Sequence, residues 1–267
     1  MSKYIFSLYI LLASFSTLQA QETKKDTVTL IPKTDRYGLR LGVDVSKLAR
    51  TLYEKDYKGF EVVGDYRLNR SFYIAGEIGN ENKTRDEPNL NFTTKGTYFK
   101  VGFDYNAYEN WLNMENIIFI GLRYGVSSFS QTLNRYSIYY NTSYTNPGAL
   151  PSSNFLDITQ VYPNQEFSGL SAHWVEVVGG VKTEIFDNLY IGFSVRLNRL
   201  VSNKKPGDFD NLYIPGFNRT YDGDFGIGYN YSISYFIPIF KKKVLPKAVK
   251  EEKKEDKKKV EASKKKK

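Results

Sequence analysis

The chain has 267 residues, 41% of them hydrophobic and 25% charged, with a formal net charge of +9 and no cysteine. The cysteine count excludes a disulfide scaffold, a thiolate metal site and a lipoprotein anchor. The charge does not mark a nucleic-acid binder, because residues 241–267 hold 14 lysines against five acids, a surplus equal to that of the whole chain.

Met1–Lys3 is a short positive start, and Tyr4–Phe15 is an apolar run too short to span a bilayer. Residues 1–20 therefore read as a signal peptide, with a cut expected before Gln21, and residues 21–36 as a periplasmic lead-in. No later stretch reaches 18 apolar residues, which excludes helical spans.

Strand-like alternation then begins. Tyr37, Leu39, Leu41, Val43 and Val45 alternate with Gly38, Arg40, Gly42, Asp44 and Ser46. Phe60, Val62, Tyr66 and Leu68 alternate with Glu61, Asp65 and Arg67, and Phe72, Ile74 and Ile78 with Tyr73, Ala75 and Glu77. Phe99, Val101, Phe103 and Tyr105 alternate with Lys100, Gly102 and Asp104. Ile118–Val126 carries Arg123 in its polar phase, Val175–Ile185 carries Glu176, Lys182 and Glu184, and Leu189–Leu197 carries Arg196. The clearest case is Phe225–Ile239, where large apolar residues fill one phase and Asp224, Gly226, Gly228, Asn230, Ser232 and Ser234 the other. Successive strand side chains point to opposite faces. Apolar residues outward and small or charged residues inward is the pattern of a membrane β-barrel. A soluble lipocalin-like barrel would place its apolar phase inside.

Eight such segments predict an all-β fold, an eight-stranded antiparallel up-and-down transmembrane β-barrel over residues 37–240. The connections support this. Those after even-numbered strands are short (Asn69–Ser71, about Asn106–Asn113, Phe186–Asn188). Three of the four others, Glu81–Thr94, Ser130–Ser171 and Ser202–Gly223, are long, as extracellular loops are. Lys241–Lys243 is expected to stop the last strand, Pro238 to mark a bulge if Phe240 is to face outward, and 241–267 to form a Lys-rich disordered periplasmic tail.

In these alternations and this layout, residues 37–240 resemble the small outer-membrane barrels of OmpA and OmpX type, and more closely an uncharacterised barrel family of Bacteroidota. The resemblance implies a Gram-negative outer membrane, contact with outer-membrane lipid and lipopolysaccharide, and recognition by the barrel assembly machinery through Tyr235, Ile237 and Ile239. It implies no cofactor and no activity.

An eight-stranded barrel is narrow enough for side chains to fill it. Arg40, Asp44, Glu61, Asp65, Arg67, Glu77, Lys100, Asp104, Arg123, Glu176, Lys182, Glu184, Arg196 and Asp224 are expected to form a closed lumen charge network. A charge-lined small-conductance channel is the alternative. The single histidine, His173, shares a strand face with Ser171. A Ser/His pair facing the outer leaflet resembles the dyad of lipid A deacylases, although the order Ser-x-His is reversed and no orienting carboxylate shares the face; a non-enzymatic barrel is the expectation. Tyr136, Tyr139, Tyr140, Tyr144, Tyr162, Tyr213, Phe217 and Tyr221 lie in the long loops. They are the candidates for an extracellular glycan or protein ligand, with aromatics packed on one another above the barrel as the alternative. The lysine tail is a candidate contact for peptidoglycan or an acidic periplasmic partner. No metal site and no nucleic-acid partner are expected.

Overall fold

A computed structural model describes residues 33–108, 115–140, 157–207, 210–217 and 224–244. The elements are β1 (Lys33–Asp44), α1 (Val45–Tyr53), β2 (Tyr57–Arg67), β3 (Phe72–Glu87), β4 (Leu90–Asn106), β5 (Ile117–Tyr140), β6 (Asp157–Val161), β7 (Gln165–Phe186), β8 (Leu189–Asn203) and β9 (Phe225–Val244). Each strand pairs antiparallel with its neighbours, and β1 pairs with β9 to close the sheet. The ring holds eight strands, because β6 joins only the upper end of β5 and stands outside it.

The alternation in sequence becomes alternation in space. Phe60, Ile78, Phe99, Val101, Leu122, Val177, Leu197, Ile227 and Ile233 are exposed on the outer wall, while Glu61, Glu77, Lys100, Arg123, Glu176 and Arg196 between them are buried in the lumen. At the long-loop end the outward residues turn polar at Lys58, Asn80, Thr97, Ser128 and Arg199, which sets the upper edge of the apolar band.

Several expectations are corrected. Val45 does not continue β1, because Asp44 caps a helix that occupies the first connection. The Asp44 carboxylate accepts a 2.8 Å hydrogen bond from the Ser46 amide, satisfying one of the orphan donors at the helix start. Glu81–Thr94 is no open loop: β3 and β4 run on as a ladder and turn over at Pro88–Asn89. Likewise β5 extends to Tyr140 and β7 begins at Gln165, which turns much of the third connection into wall. The barrel also begins and ends further out than 37–240. Lys241–Lys243 do not stop β9, whose pairing with β1 continues from Arg36↔Lys241 to Lys33↔Val244.

At the opposite end two of the turns are tight. The Asn69 side chain accepts from the Ser71 and Phe72 amides, both at 2.8 Å, which closes the β2–β3 turn. Asn188, with φ of 66°, turns β7 into β8. Pro238 sits at a register shift, since Tyr37 pairs with Phe240 and Gly38 with Pro238. The bulge leaves Ile237, Ile239 and Phe240 all exposed on the wall, with Phe240 stacked on Tyr37 at 5.0 Å between ring centroids.

Candidate functional site

The lumen is filled by ion pairs. Arg40 meets Asp65 at 3.3 Å, Asp65 meets Lys182 at 2.7 Å, and Lys182 reaches Asp104 at 3.7 Å. Asp104 holds Arg123 at 2.7 Å, and Arg123 lies 3.6 Å from Glu77. Glu77 is the hub: Arg196 at 2.5 Å and Lys100 at 3.3 Å also converge on it. Glu176 receives Lys100 at 3.2 Å and Arg196 at 3.3 Å, and Glu61 lies 3.9 Å from Lys100. Lys47, pointing down from α1, joins Glu61 to Glu81 and ends the chain. Six cations and six carboxylates thus form one connected, balanced network among the described residues. Balance matters because an unpaired ion in this narrow interior would carry its full desolvation cost. A void of about 30 Å³ remains beside Arg40, Ser194, Ser232 and Ser234, room for a water or two.

The other members of the expected set fall elsewhere. Arg67 and Glu184 lie at the tight-turn end, in a second group with Arg36 and Glu115: Arg36 to Glu184 is 2.8 Å and Arg67 to Glu115 is 2.9 Å. Asp44 is buried, as the helix cap. Asp224 is exposed just before β9, at the long-loop end, and is no part of the lumen, because β9 begins its inward phase only at Gly226.

Above the charges sits a plug. Residues 210–217 of the fourth connection fold into the barrel, so Tyr213, Ile214 and Phe217 are buried. Phe217 packs edge-on against Trp174 at 5.8 Å, within a cluster of Tyr98, Phe129, Leu170, Ala172 and Ile214. Polar groups fasten the plug. Gln131 accepts from the Leu212 amide and donates to the Asp210 carbonyl, and Asn198 donates to the Phe217 carbonyl at 2.9 Å. Tyr213 donates its hydroxyl to Glu81 at 2.6 Å, and the Gly216 amide donates to the same carboxylate at 3.1 Å. Gly216 has φ of +80°, and a Cβ there would lie 2.4 Å from the Tyr98 ring, so only glycine fits.

Two of the eight aromatic loop candidates therefore fold inward. Tyr213 and Phe217 are plug residues, because apolar rings above a filled lumen bury more surface inward than they would exposed. Tyr136 is half-buried in β5, and Tyr139 and Tyr162 are exposed on the raised wall. The backbone of Tyr140 ends β5, while Tyr144 and Tyr221 lie outside the described residues.

Ser171 and His173 do face outward, either side of the buried Ala172. The His173 Nδ1 lies 3.2 Å from the Tyr124 hydroxyl, and the two rings tilt together at 6.1 Å. Among the described residues the hydrogen-bond neighbour of the imidazole is thus a tyrosine, and no catalytic pair with Ser171 is assembled. No three His, Asp or Glu side chains among the described residues are grouped to hold a metal ion.

At the mouth on the long-loop side, between α1, the tops of β2 and β3 and the plug, lies a cavity of about 540 Å³. Lys47, Arg50, Glu54, Tyr57, Lys83 and Tyr213 are among its lining residues. Tyr57 and Tyr213 both direct their hydroxyls at Glu81, at 3.0 and 2.6 Å. Arg50 lies over the Tyr57 ring at 3.9 Å, and Lys83 over the Tyr213 ring at 5.4 Å. Arg50 and Lys83 share one carboxylate, Glu54, bound closely by Arg50 and 3.6 Å from Lys83. The hydrogen bond from Arg50 holds Glu54 below the usual carboxylate range. Lys47 and Glu81 were both missed in the sequence. Glu81 continues the inward phase of Glu77 four residues on and was legible; Lys47 depends on a helix that strand periodicity cannot show.

Comparison with known proteins gives little further. No curated protein matches the sequence. Among solved structures, Ail, the attachment invasion locus protein of Yersinia pestis, is similar at 12% identity and a TM-score of 0.38, covering 77% of this chain and 99% of that one. The family described as Domain of unknown function (DUF6048) matches residues 1–242, and the chain belongs to that family.

Proposed function

We propose that this protein is an integral barrel of a Gram-negative outer membrane, sealed to solutes, that acts at the cell surface as a binding and structural platform without catalysis. One observation carries the reading. The outer wall is apolar around the ring, the lumen is stopped by a balanced charge network and a plug, and the outer mouth is left open as a cavity. Such a wall is matched to lipid, and its strands suit a membrane of ordinary thickness. The stopped lumen argues against a channel, and the placement of His173 beside Tyr124 argues against a deacylase. The tight turns then lie in the periplasm, with both chain ends, and residues 1–20 serve export. In this reading the family is one of surface barrels of Bacteroidota, as the sequence resemblance implies. Outer-leaflet lipopolysaccharide surrounds the wall, and the exposed rings of Tyr139 and Tyr162 on the raised sheet offer a second contact for a glycan or protein.

The test places one protease-cleavable tag near Gly148 and another after Lys267 in intact cells, and measures conductance of the purified protein in planar bilayers. Cleavage at the first tag alone, with a silent bilayer, is expected. Cleavage at both tags, or discrete reproducible conductance, would overturn the reading.

A further inference from the structure

The cavity at the mouth differs from the lumen in how its cations are balanced. In the lumen cations also lie over rings, Arg40 over Tyr190 at 4.4 Å and Lys182 over Phe119 at 4.7 Å, but carboxylates there match the cations in number. Here Arg50 and Lys83 rest on the faces of Tyr57 and Tyr213 and divide a single glutamate. The rings cannot turn away, because both hydroxyls are tied to Glu81 below. A cation on a ring face keeps donors at its edge for another acceptor, and ring stacking leaves its charge unneutralised. Arg85, a third cation of the lining, donates to Glu87 at 2.6 Å in an exposed pair that solvent screens, and of the two aspartates that also line the cavity, Asp56 and Asp86, the second is held by Arg135 at 2.8 Å. Burial, and after it the neighbouring Arg50 and Arg85, holds the Lys83 ammonium below the usual lysine range, while Glu54 opposes the shift. Phe92, Ile227 and Tyr229 give the cavity an apolar side, and its volume lies within the range of small-molecule sites.

We propose that this cavity binds an anionic headgroup, a phosphate or carboxylate borne on a sugar-sized body, with Lys83 as the principal contact and Arg50 and Arg85 flanking it. A charge-assisted hydrogen bond to Lys83 would complete the neutralisation that Glu54, shared and 3.6 Å away, supplies only in part. Two sources carry this chemistry: a soluble phosphosugar or uronate, and the phosphorylated sugar headgroup of an outer-leaflet glycolipid. Ile227 and Tyr229 lie on the outward face of β9, so the cavity reaches the edge of the apolar wall. The headgroup of a lipid beside the barrel is therefore within the same approach as a solute from above.

The inference rests on the surface-binding reading and is tested apart from it. Full-length folded protein in detergent micelles is titrated calorimetrically with glucose 1-phosphate, galacturonate and, as the neutral control, glucose. Protein in nanodiscs with and without lipid A forms the second arm, read by the unfolding midpoint. Lys83→Met, Lys83→Arg and the surface control Lys95→Met are compared. The expected result is saturable binding of an anionic probe, or stabilisation by lipid A, without binding of glucose. Lys83→Met should weaken it at least tenfold, Lys83→Arg should restore most of it, and Lys95→Met should leave it unchanged. Binding in solution assigns the soluble source, and stabilisation in nanodiscs alone assigns the lipid. No response in either arm, or a response indifferent to Lys83→Met, would overturn the inference, while tag accessibility and a silent bilayer would leave the sealed surface barrel standing.

Discussion

The middle of the lumen and its mouth are built from the same residue types, yet they are put together in opposite ways. Around Glu77, three cations and their carboxylates satisfy one another across strands that cannot move apart. Around Lys83, two cations sit on tyrosine rings and compete for Glu54. Balance and rigidity make the first region a stopper; an open side and a Lys83 held only at 3.6 Å are what our proposal draws on in the second. Charge in a barrel interior therefore says nothing about conduction or binding until the partners are counted.

The contrast can be broken at its strongest point. Glu77→Gln leaves Arg196, Lys100 and Arg123 short of a carboxylate in a closed interior. It should cost about 3–5 kcal/mol of unfolding free energy, measured by denaturant unfolding in micelles. A loss no larger than that of a surface glutamate would mean the lumen is wetter than its packing indicates. Gly216→Val strikes the plug, adding a side chain against Tyr98 at a backbone angle that disfavours it, at a cost of about 1–3 kcal/mol. Because the charges beneath are already balanced, planar bilayers should stay silent with this variant; new conductance would show that the plug, and not the network, is the seal.

Smaller changes sharpen the mouth. Asp44→Ala removes the cap of α1 and should cost about 1 kcal/mol. The amide proton of Ser46 should then exchange faster while the lumen amides stay protected. Acid offers the mildest test. The folded pKa of Glu54 is lowered, so its contribution is present above the ordinary carboxylate range and is lost as pH falls through the lowered value. Proteolysis next to Arg50 and Lys55 should therefore rise only on strong acidification, and by a modest factor, since Glu54 is partly exposed and screened.

The ring of strands was legible because period-two alternation survives in every wall segment, from Leu41 through Ile78 and Leu122 to Ile233. The lumen charges were legible for the same reason: once the phase is known, Arg40, Glu77 or Glu176 can only point inward. Failure came where the period changes or folds back. Val45 and Leu48 suit a strand end as well as a helix, and α1 is decided by the Asp44 cap and the inward reach of Lys47. Tyr213 and Phe217 look like any aromatic loop residues, since nothing local records that Glu81 and Trp174 wait for them below. The cavity was invisible for that reason, being assembled from α1, β3 and the plug, which are far apart in the chain.

The spacing of the lumen ion pairs and hydrogen bonds has a consequence for how the molecule is made. Lys182 finds Asp65 across 117 residues, Arg196 finds Glu77 across 119, and Asn230 reaches Glu61 across 169. None of these partners can meet before the last strands arrive, and until then each charge must stay hydrated. The growing sheet must hold its inner face in water until it closes, and the pairing of β1 with β9 is the event that expels that water. Closure is thus the step at which most of the interior's order forms at once, which makes it slow and cooperative.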